Sequence, residues 1–211
     1  MSAHRVQKMP RKRSNRSQQV RYGIAQEAAR IMREQGIKDF LLAKRKAAER
    51  LGISDRTALP GNDEIAAALT EQQRLFGGSA YPARLRALRE TATRAMDLLA
   101  EFEPRLVGSV LSGAVTEHSD VNLHVFADTP ESVAMRLMDC EIPYDSSERR
   151  IRYPSERTEA LPSFRFLAGD VAVEATVFPV HGLRQAPSCP VDGRPMQRAR
   201  RPELEALLAE S

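Results

Sequence analysis

The chain has 211 residues, 42% of them hydrophobic and 28% charged, the balance of one globular domain, or of one domain with a helical extension, rather than of a disordered chain. No run approaches the ~18 consecutive apolar residues of a membrane span, and no apolar stretch follows the basic amino end as in a secretory leader. Cys140 and Cys189 stand far apart without CxxC spacing, which excludes a zinc ribbon and a disulfide framework and fits a reducing cytoplasm.

The net charge of +4 is unevenly spread. Residues 1–21 hold seven of the 32 basic residues, Arg5, Lys8, Arg11, Lys12, Arg13, Arg16 and Arg21, and no acid, leaving 25 basic against 28 acidic residues in the rest. A polar, basic stretch with Pro10 and no apolar period reads as a disordered tail over 1–20. Such a tail attracts phosphate backbones, so nucleic acid is one expected partner.

From Tyr22 the pattern is helical: Ile24, Ala28, Ile31 and Met32 recur at helical spacing and Gly36 stops the run. A second helix is expected from Lys38 to Leu51, with Leu41, Leu42, Ala48 and Leu51 inward. Its basic run Lys44-Arg45-Lys46 is read as part of a packing helix, since 53–60 looks like loop rather than a recognition helix. Leu59-Pro60-Gly61 is a turn. Asn62 then caps a third helix to Phe76, with Asp63 and Glu64 where the helix dipole favours acids. Gly77-Gly78-Ser79 reads as a linker, and a fourth helix runs from Pro82 to about Phe102.

The character changes at Arg105. Leu106 to Leu111 reads as a buried strand breaking into a Gly/Ser turn, and Val121 to Phe126 as a second strand. Thr129-Pro130-Glu131 is expected to start a short helix that runs through about Asp139. Further strands are expected near 149–153, 163–167 and 171–178, the last two joined as a hairpin by Ala168-Gly169-Asp170. Residues 179–201 are rich in Pro, Gly and Arg, and a short helix closes the chain. The expected fold class is α+β: a helical region over 21–103, a small mixed-sheet α/β domain over 104–180, and a C-terminal loop and helix over 181–211.

The chemistry gathers between Leu106 and Phe126. A strand leads into Gly108-Ser109, and after ten intervening residues Asp120-Val121-Asn122 opens the next strand. Residues 120 and 122 alternate along the strand, so they share a face. Gly108-Ser109 lets backbone amides and a hydroxyl come close to a phosphate. Glu174 lies inside the apolar run Val171 to Val177, where an acid is costly unless paired or metal-bound. GxxxxGK[ST], GxGxxG, HExxH and GxSxG patterns are absent from the sequence, which disfavours P-loop, dinucleotide-binding, zinc-protease and serine-hydrolase sites.

Over residues 105–178 these features resemble the nucleotidyltransferase fold of polymerase-β-like enzymes: a hydrophobic residue, Gly-Ser, about ten residues, an Asp-x-Asp/Glu pair and a third acid on a later strand. The matching positions are Gly108, Ser109, Asp120, Asn122 and Glu174. The resemblance implies a nucleoside triphosphate as substrate, Mg²⁺ or Mn²⁺ held by Asp120, Glu174 and the Asn122 carbonyl, and transfer of a nucleoside monophosphate to a hydroxyl acceptor. Gly108 and Ser109 would hold the triphosphate, with Arg184 or Arg194 as forked phosphate ligands if their loop folds over the cleft. His124 shares the face of Asn122 and is a further candidate. The family expects a second acid where this chain has Asn122. That departure also allows a catalytically inactive module of the same fold that contacts nucleic acid or a protein partner.

Overall fold

The computed structural model describes residues 11–54, 59–76, 78, 80–155 and 157–210. Among these, helices come first and a five-stranded mixed sheet follows, an α+β arrangement. The chain divides into two compact units, Met1–Gln72 and Gln73–Ser211. The expected boundary lay some thirty residues later, at 103/104.

In the first unit, α1 (Arg11–Gln35) and α2 (Phe40–Arg50) form a helical hairpin, with the start of α3 (Asn62–Phe76) packed beside them. Residues 1–10 of the expected tail lie outside the described residues. From Arg11 onward the expectation of disorder is corrected: α1 begins there, and Arg21 already pairs with Glu64 at 3.1 Å. The Asp39 carboxylate caps α2, accepting from the amides of Leu41 at 2.7 Å and Leu42 at 3.3 Å. The phase of α2 also differs from expectation. Ala43, Ala47 and Ala48 are buried, whereas Leu41, Leu42 and Leu51 are exposed. The facing stripe of α1 is Ala25, Ala28 and Ala29 between Ile24 and Ile31. Alanines on both helices let the backbones approach closely, so the small residues take the seam and the leucines are left outside. Asn62 is the first residue of α3 rather than a cap outside it. Glu64 accepts instead from the Gly61 amide at 2.6 Å.

The second unit is built on α4 (Ala80–Leu98), β1 (Arg105–Val107), α5 (Ser109–Ser112), β2 (Val121–Phe126), α6 (Pro130–Asp139), β3 (Tyr144–Arg152), β4 (Thr158–Ala168), β5 (Val171–Phe178) and α7 (Arg201–Ala209). Short 3-10 turns cover Ala100–Phe102 and Val180–Arg184. Of the expected linker 77–79, only Gly78 is a described residue. The helix after it belongs with the sheet, because Leu88, Ala92, Ala95, Met96 and Leu99 join the core formed by the strands. Buried Arg89 fastens α4 at both ends of this core, donating to the carbonyls of Val110 on α5 at 3.4 Å and Leu207 near the end of α7 at 3.1 Å. A cation at those carbonyls complements the negative end of the helix dipole. Val110 and Leu111, expected to continue a strand, turn into α5 directly after Gly108.

The strand order is β1-β2-β5-β4-β3. Only β2 and β5 run parallel; the other three pairs are antiparallel. Gly169, at φ 67°, and Asp170 turn the β4–β5 hairpin as expected, so Ala168 opposes Val171. Pro162 is tolerated inside β4 because the β4–β5 ladder begins only at Ser163↔Thr176. One face of the sheet carries Leu106, Val121, Leu123, Val125, Val173, Ala175, Val177, Phe164 and Phe166 and packs on the helices. The alternate residues point to the other face, which carries the polar groups. No described helix is long and apolar enough to cross a membrane.

Candidate functional site

The polar face is assembled by register. Val107 opposes Asn122, Asn122 opposes Glu174, Glu174 opposes Arg165 and Arg165 opposes Asp145, so one row crosses all five strands. Directly opposed side chains on neighbouring strands share a face and lie within contact range. Asp120, two residues before Asn122, has the same orientation by alternation. The structure thus brings Glu174, distant in the chain, onto one face with Asp120 and Asn122.

The two carboxylates are mostly buried and each meets an arginine. Arg165 Nη1 donates to Asp120 Oδ2 at 2.9 Å, with side-chain exposures of 48% and 12%. Arg149 Nη1 donates to Glu174 Oε2 at 3.1 Å and to Asn122 Oδ1 at 3.2 Å, with the arginine 44% and the glutamate 18% exposed. The other Glu174 oxygen accepts from the buried Ser163 hydroxyl at 3.3 Å. Asn122 Nδ2 donates to the Asp120 backbone carbonyl at 3.2 Å, which leaves its carbonyl oxygen turned toward the Arg149 side.

Gly108 sits at the end of β1 with φ 76° and ψ −151°, a conformation open to glycine alone. A side chain there would meet Asn122 only at ordinary contact distance, 3.8 Å, so the backbone angle rather than crowding requires the glycine. Ser109 opens α5 and its hydroxyl donates to Ser119 Oγ at 3.5 Å. Ser119 in turn accepts from the Thr116 amide at 2.8 Å. The Gly-Ser turn and the loop before Asp120 are therefore one connected structure beside Asn122.

Arg184 and Arg194 are not brought to these acids. Both are exposed, Arg184 at the end of a 3-10 turn and Arg194 in the loop beyond it. The arginine that the loop turns onto the sheet is Arg198. Its guanidinium lies 4.9 Å from the Phe178 ring centre and 5.1 Å from that of Phe126. Arg198 Nε donates to His124 Nδ1 at 3.1 Å and Nη1 to the Gly182 carbonyl at 2.7 Å. His124 Nδ1 is thus an acceptor, and the imidazole is neutral. Burial, then the charges of Arg198 and Arg149, hold its pKa well below the usual 6.5. Burial also pulls Arg198 down to about 10. His124 therefore serves to anchor the loop and does not extend the donor set at Asp120. His118 and His181 are exposed.

Sequence reading missed Arg165, Ser163 and Arg198 and gave Arg149 no role beyond a place in the strand expected near 149–153. The signal for Arg165 was present. A two-residue turn at Gly169-Asp170 sets the hairpin register, and counting back from Ala168↔Val171 places Arg165 opposite Glu174. Nothing local marks Arg198, which reaches the sheet through a long irregular segment.

The donor set bears on the cation that the resemblance implies. Asp120, Asn122 and Glu174 offer oxygen atoms only, which suits Mg²⁺. Among the described residues no group of three His, Cys, Asp or Glu could hold a metal ion. Two carboxylates and an amide carbonyl would supply only part of such a cation's coordination shell, the rest falling to water or other oxygen ligands. The arginine pairs are open to solvent on one side and contribute about 0–1 kcal/mol each, little enough for a divalent cation to displace. Comparison with protein-family models, curated proteins and solved structures gave no match to the chain.

Proposed function

We propose that the polar face around Asp120, Asn122 and Glu174 is a nucleotidyltransferase-type site that takes a nucleoside triphosphate together with Mg²⁺ or Mn²⁺. The observation that carries this reading is the register Asn122↔Glu174 on parallel neighbours, with Asp120 on the same face and the Gly108-Ser109 turn beside it. In this reading Asp120, Glu174 and the Asn122 carbonyl hold the cation, which neutralises the triphosphate and stabilises charge developing on its oxygens. Ser109 and the adjoining backbone amides cradle a phosphate. Arg149 and Arg165, released from the carboxylates, turn to phosphate oxygens and supply forked contacts. An acceptor hydroxyl then attacks the α-phosphorus and gives up its proton to solvent, while the α–β phosphoanhydride bond breaks and pyrophosphate leaves.

A second reading is supported by the same arginine pairs and by Asn122: the fold acts as a non-catalytic binding module whose acids are neutralised by its own cations. The basic amino end would then supply contact with nucleic acid. Calorimetry with ATP, GTP, CTP and UTP, with and without Mg²⁺ or Mn²⁺, tests the primary reading. Binding is expected only with the metal, and Asp120→Ala should weaken it by about a hundredfold, the cost of leaving charge-assisted contacts unmade. Absence of nucleotide binding by the folded protein overturns the site. Binding without transfer of label to any acceptor, together with a steep salt-dependent nucleic-acid affinity lost when Arg5, Lys8, Arg11, Lys12, Arg13 and Arg16 are all replaced by Gln, selects the second reading. Asn122→Asp sharpens the distinction: a neutralised site gains metal affinity from the added acid, whereas a site tuned to Asn122 loses activity.

A further inference from the structure

The two outer edges of the sheet are treated differently. The β1 edge is covered: Leu106 exchanges backbone hydrogen bonds with Ala199, at 2.8 and 2.9 Å. β3 is the other edge, nine residues long and exposed at every position except Tyr144 and Ile151, which are half-buried. A long, straight edge strand is a template for pairing with another chain, and proteins ordinarily blunt it. Here a backbone bond closes its end alone, where the Ser188 amide donates to the Arg152 carbonyl at 2.7 Å. The stretch before that tie is Tyr144 to Arg150, and its midpoint is Ser147.

Backbone alternation tells which groups point outward. The Arg152 carbonyl points out to Ser188, while the Tyr153 amide points in, donating to Arg157 at 2.8 Å. In an antiparallel ladder such directions alternate residue by residue. Tyr144, Ser146, Glu148 and Arg150 therefore direct their N–H and C=O groups away from β4, and Asp145, Ser147 and Arg149 direct theirs toward it.

We propose that the outer edge of β3 pairs antiparallel with β3 of a second copy of this chain, about a two-fold axis passing through Ser147. A two-fold axis normal to a sheet keeps each residue on its own face, so a symmetric pairing can centre on one residue but not between two. With Ser147 at the centre, Asp145 lies opposite the partner's Arg149, Tyr144 opposite the partner's Arg150 and Ser146 opposite the partner's Glu148. Each opposed pair is an acid with a base, an aromatic ring with a cation, or a hydroxyl with a carboxylate, and no like charges meet. The neighbouring symmetric registers are poorer. Centring on Glu148 sets two carboxylates face to face and needs Arg152, whose carbonyl Ser188 already occupies. Centring on Arg149 opposes two guanidinium groups, and centring on Ser146 leaves Arg149 and Arg150 without counterparts.

The Ser147 register also satisfies the ladder. Ser146 and Glu148 both point outward and so exchange hydrogen bonds with each other across the axis. The two Ser147 residues form the close, non-hydrogen-bonded pair, in which Cα atoms approach about 4.5 Å. The two sheets become one continuous sheet. Arg149, which holds Glu174 and Asn122 within its own chain, gains the partner's Asp145 as a third acceptor on the same face. The candidate site thus lies within reach of the interface.

The test uses the full chain with its native thiols removed by Cys140→Ser and Cys189→Ser, since both are free cysteines. In this background Ser147→Cys and Ser146→Cys are oxidised mildly and the covalent dimer is measured. Ser147→Cys should cross-link about tenfold faster, because opposed non-hydrogen-bonded positions match disulfide Cα spacing and the Ser146 positions do not oppose each other. Sedimentation equilibrium of the native chain should give a dimer. Asp145→Arg, at an exposed position, should weaken it about tenfold through like charges set opposite one another, and Asp145→Arg with Arg149→Asp should restore it. Equal cross-linking at the two positions, a monomer at every concentration, or a dimer indifferent to Asp145→Arg overturns the proposal. Far-UV circular dichroism matching wild type establishes that each variant is folded. Nucleotide binding plays no part in these readouts, so the dimer stands or falls separately from the nucleotide site.

Discussion

The two faces of the sheet are made from alternate residues of the same strands and have opposite chemistry. On β2, Val121, Leu123 and Val125 lie under the helices, while Asn122 and His124 point the other way; on β5, Val173, Ala175 and Val177 alternate with Glu174 and Thr176. The helix-covered face is a closed apolar layer whose members are nearly all inaccessible. The polar face has two parts. One is sealed by Arg198, His124, Phe126 and Phe178 beneath the C-terminal loop, and the other is open at Asp120, Glu174, Arg149 and Arg165. Stability belongs mainly to the first face, whereas the open part of the second keeps its carboxylates and guanidinium groups where water or a ligand can reach them.

Mutations separate the faces most clearly by the size of their effect. Leu123→Ala, within the covered face, should cost about 3 kcal/mol through a cavity the surrounding strands cannot close, read as a lower urea midpoint at unchanged m-value. Arg198→Ala should cost about 2 kcal/mol, since it strips hydrogen bonds from His124 and the Gly182 carbonyl and removes the cation over two aromatic rings. A loss as large as that of Leu123→Ala would place the sealed part of the polar face in the core.

The third effect is a pH dependence. The folded-state pKa of His124 is depressed, so the unfolded chain binds a proton that the folded chain resists. Stability from this group is complete above about pH 6.5 and falls as pH drops below it, by up to ~1.4 kcal/mol per pH unit. Burial, Arg198, which donates to the imidazole, and the charge of Arg149 favour the neutral form; Arg105 sits opposite it on β1 and the Phe178 ring lies 4.4 Å away. Urea midpoints between pH 7.5 and 5 should lose this slope in His124→Gln. A slope of equal size in the variant would assign it to other groups. The smallest stability effect is expected at the open site, where Arg165→Ala should cost under about 1 kcal/mol while weakening nucleotide binding. A larger loss would mean that Arg165 serves the fold rather than a ligand.

Much of this was legible in the residues themselves. The β4–β5 hairpin follows from Gly169-Asp170 between two alternating runs. The placement of Asp120 and Asn122 on one face follows from strand periodicity. That Glu174 belongs with Asn122 was implied only by the family resemblance, and the observed register sets the two residues directly opposite. Arg165 was within reach of the hairpin reasoning, by counting back from the turn. The inward face of α2 was not legible, because Leu41, Leu42 and Leu51 have the stronger local claim to burial. Ala43 and Ala47 displace them because the alanine stripe of α1 rewards close backbone approach, a property of two helices together.

The sequence by itself determined the order of helices and strands apart from α5, the tight turns, and which residues alternate with which, since all three arise from spacing and backbone stereochemistry within a few residues. Tertiary structure decided which alternate set was covered. It joined α4 to the sheet rather than to the earlier helices, brought Arg149 from an edge strand to Glu174 and Asn122, turned Arg198 rather than Arg184 or Arg194 onto the sheet, and left β3 with one neighbour. Each of these contacts joins residues distant in sequence, and its free energy comes from surfaces that meet only when the chain has folded.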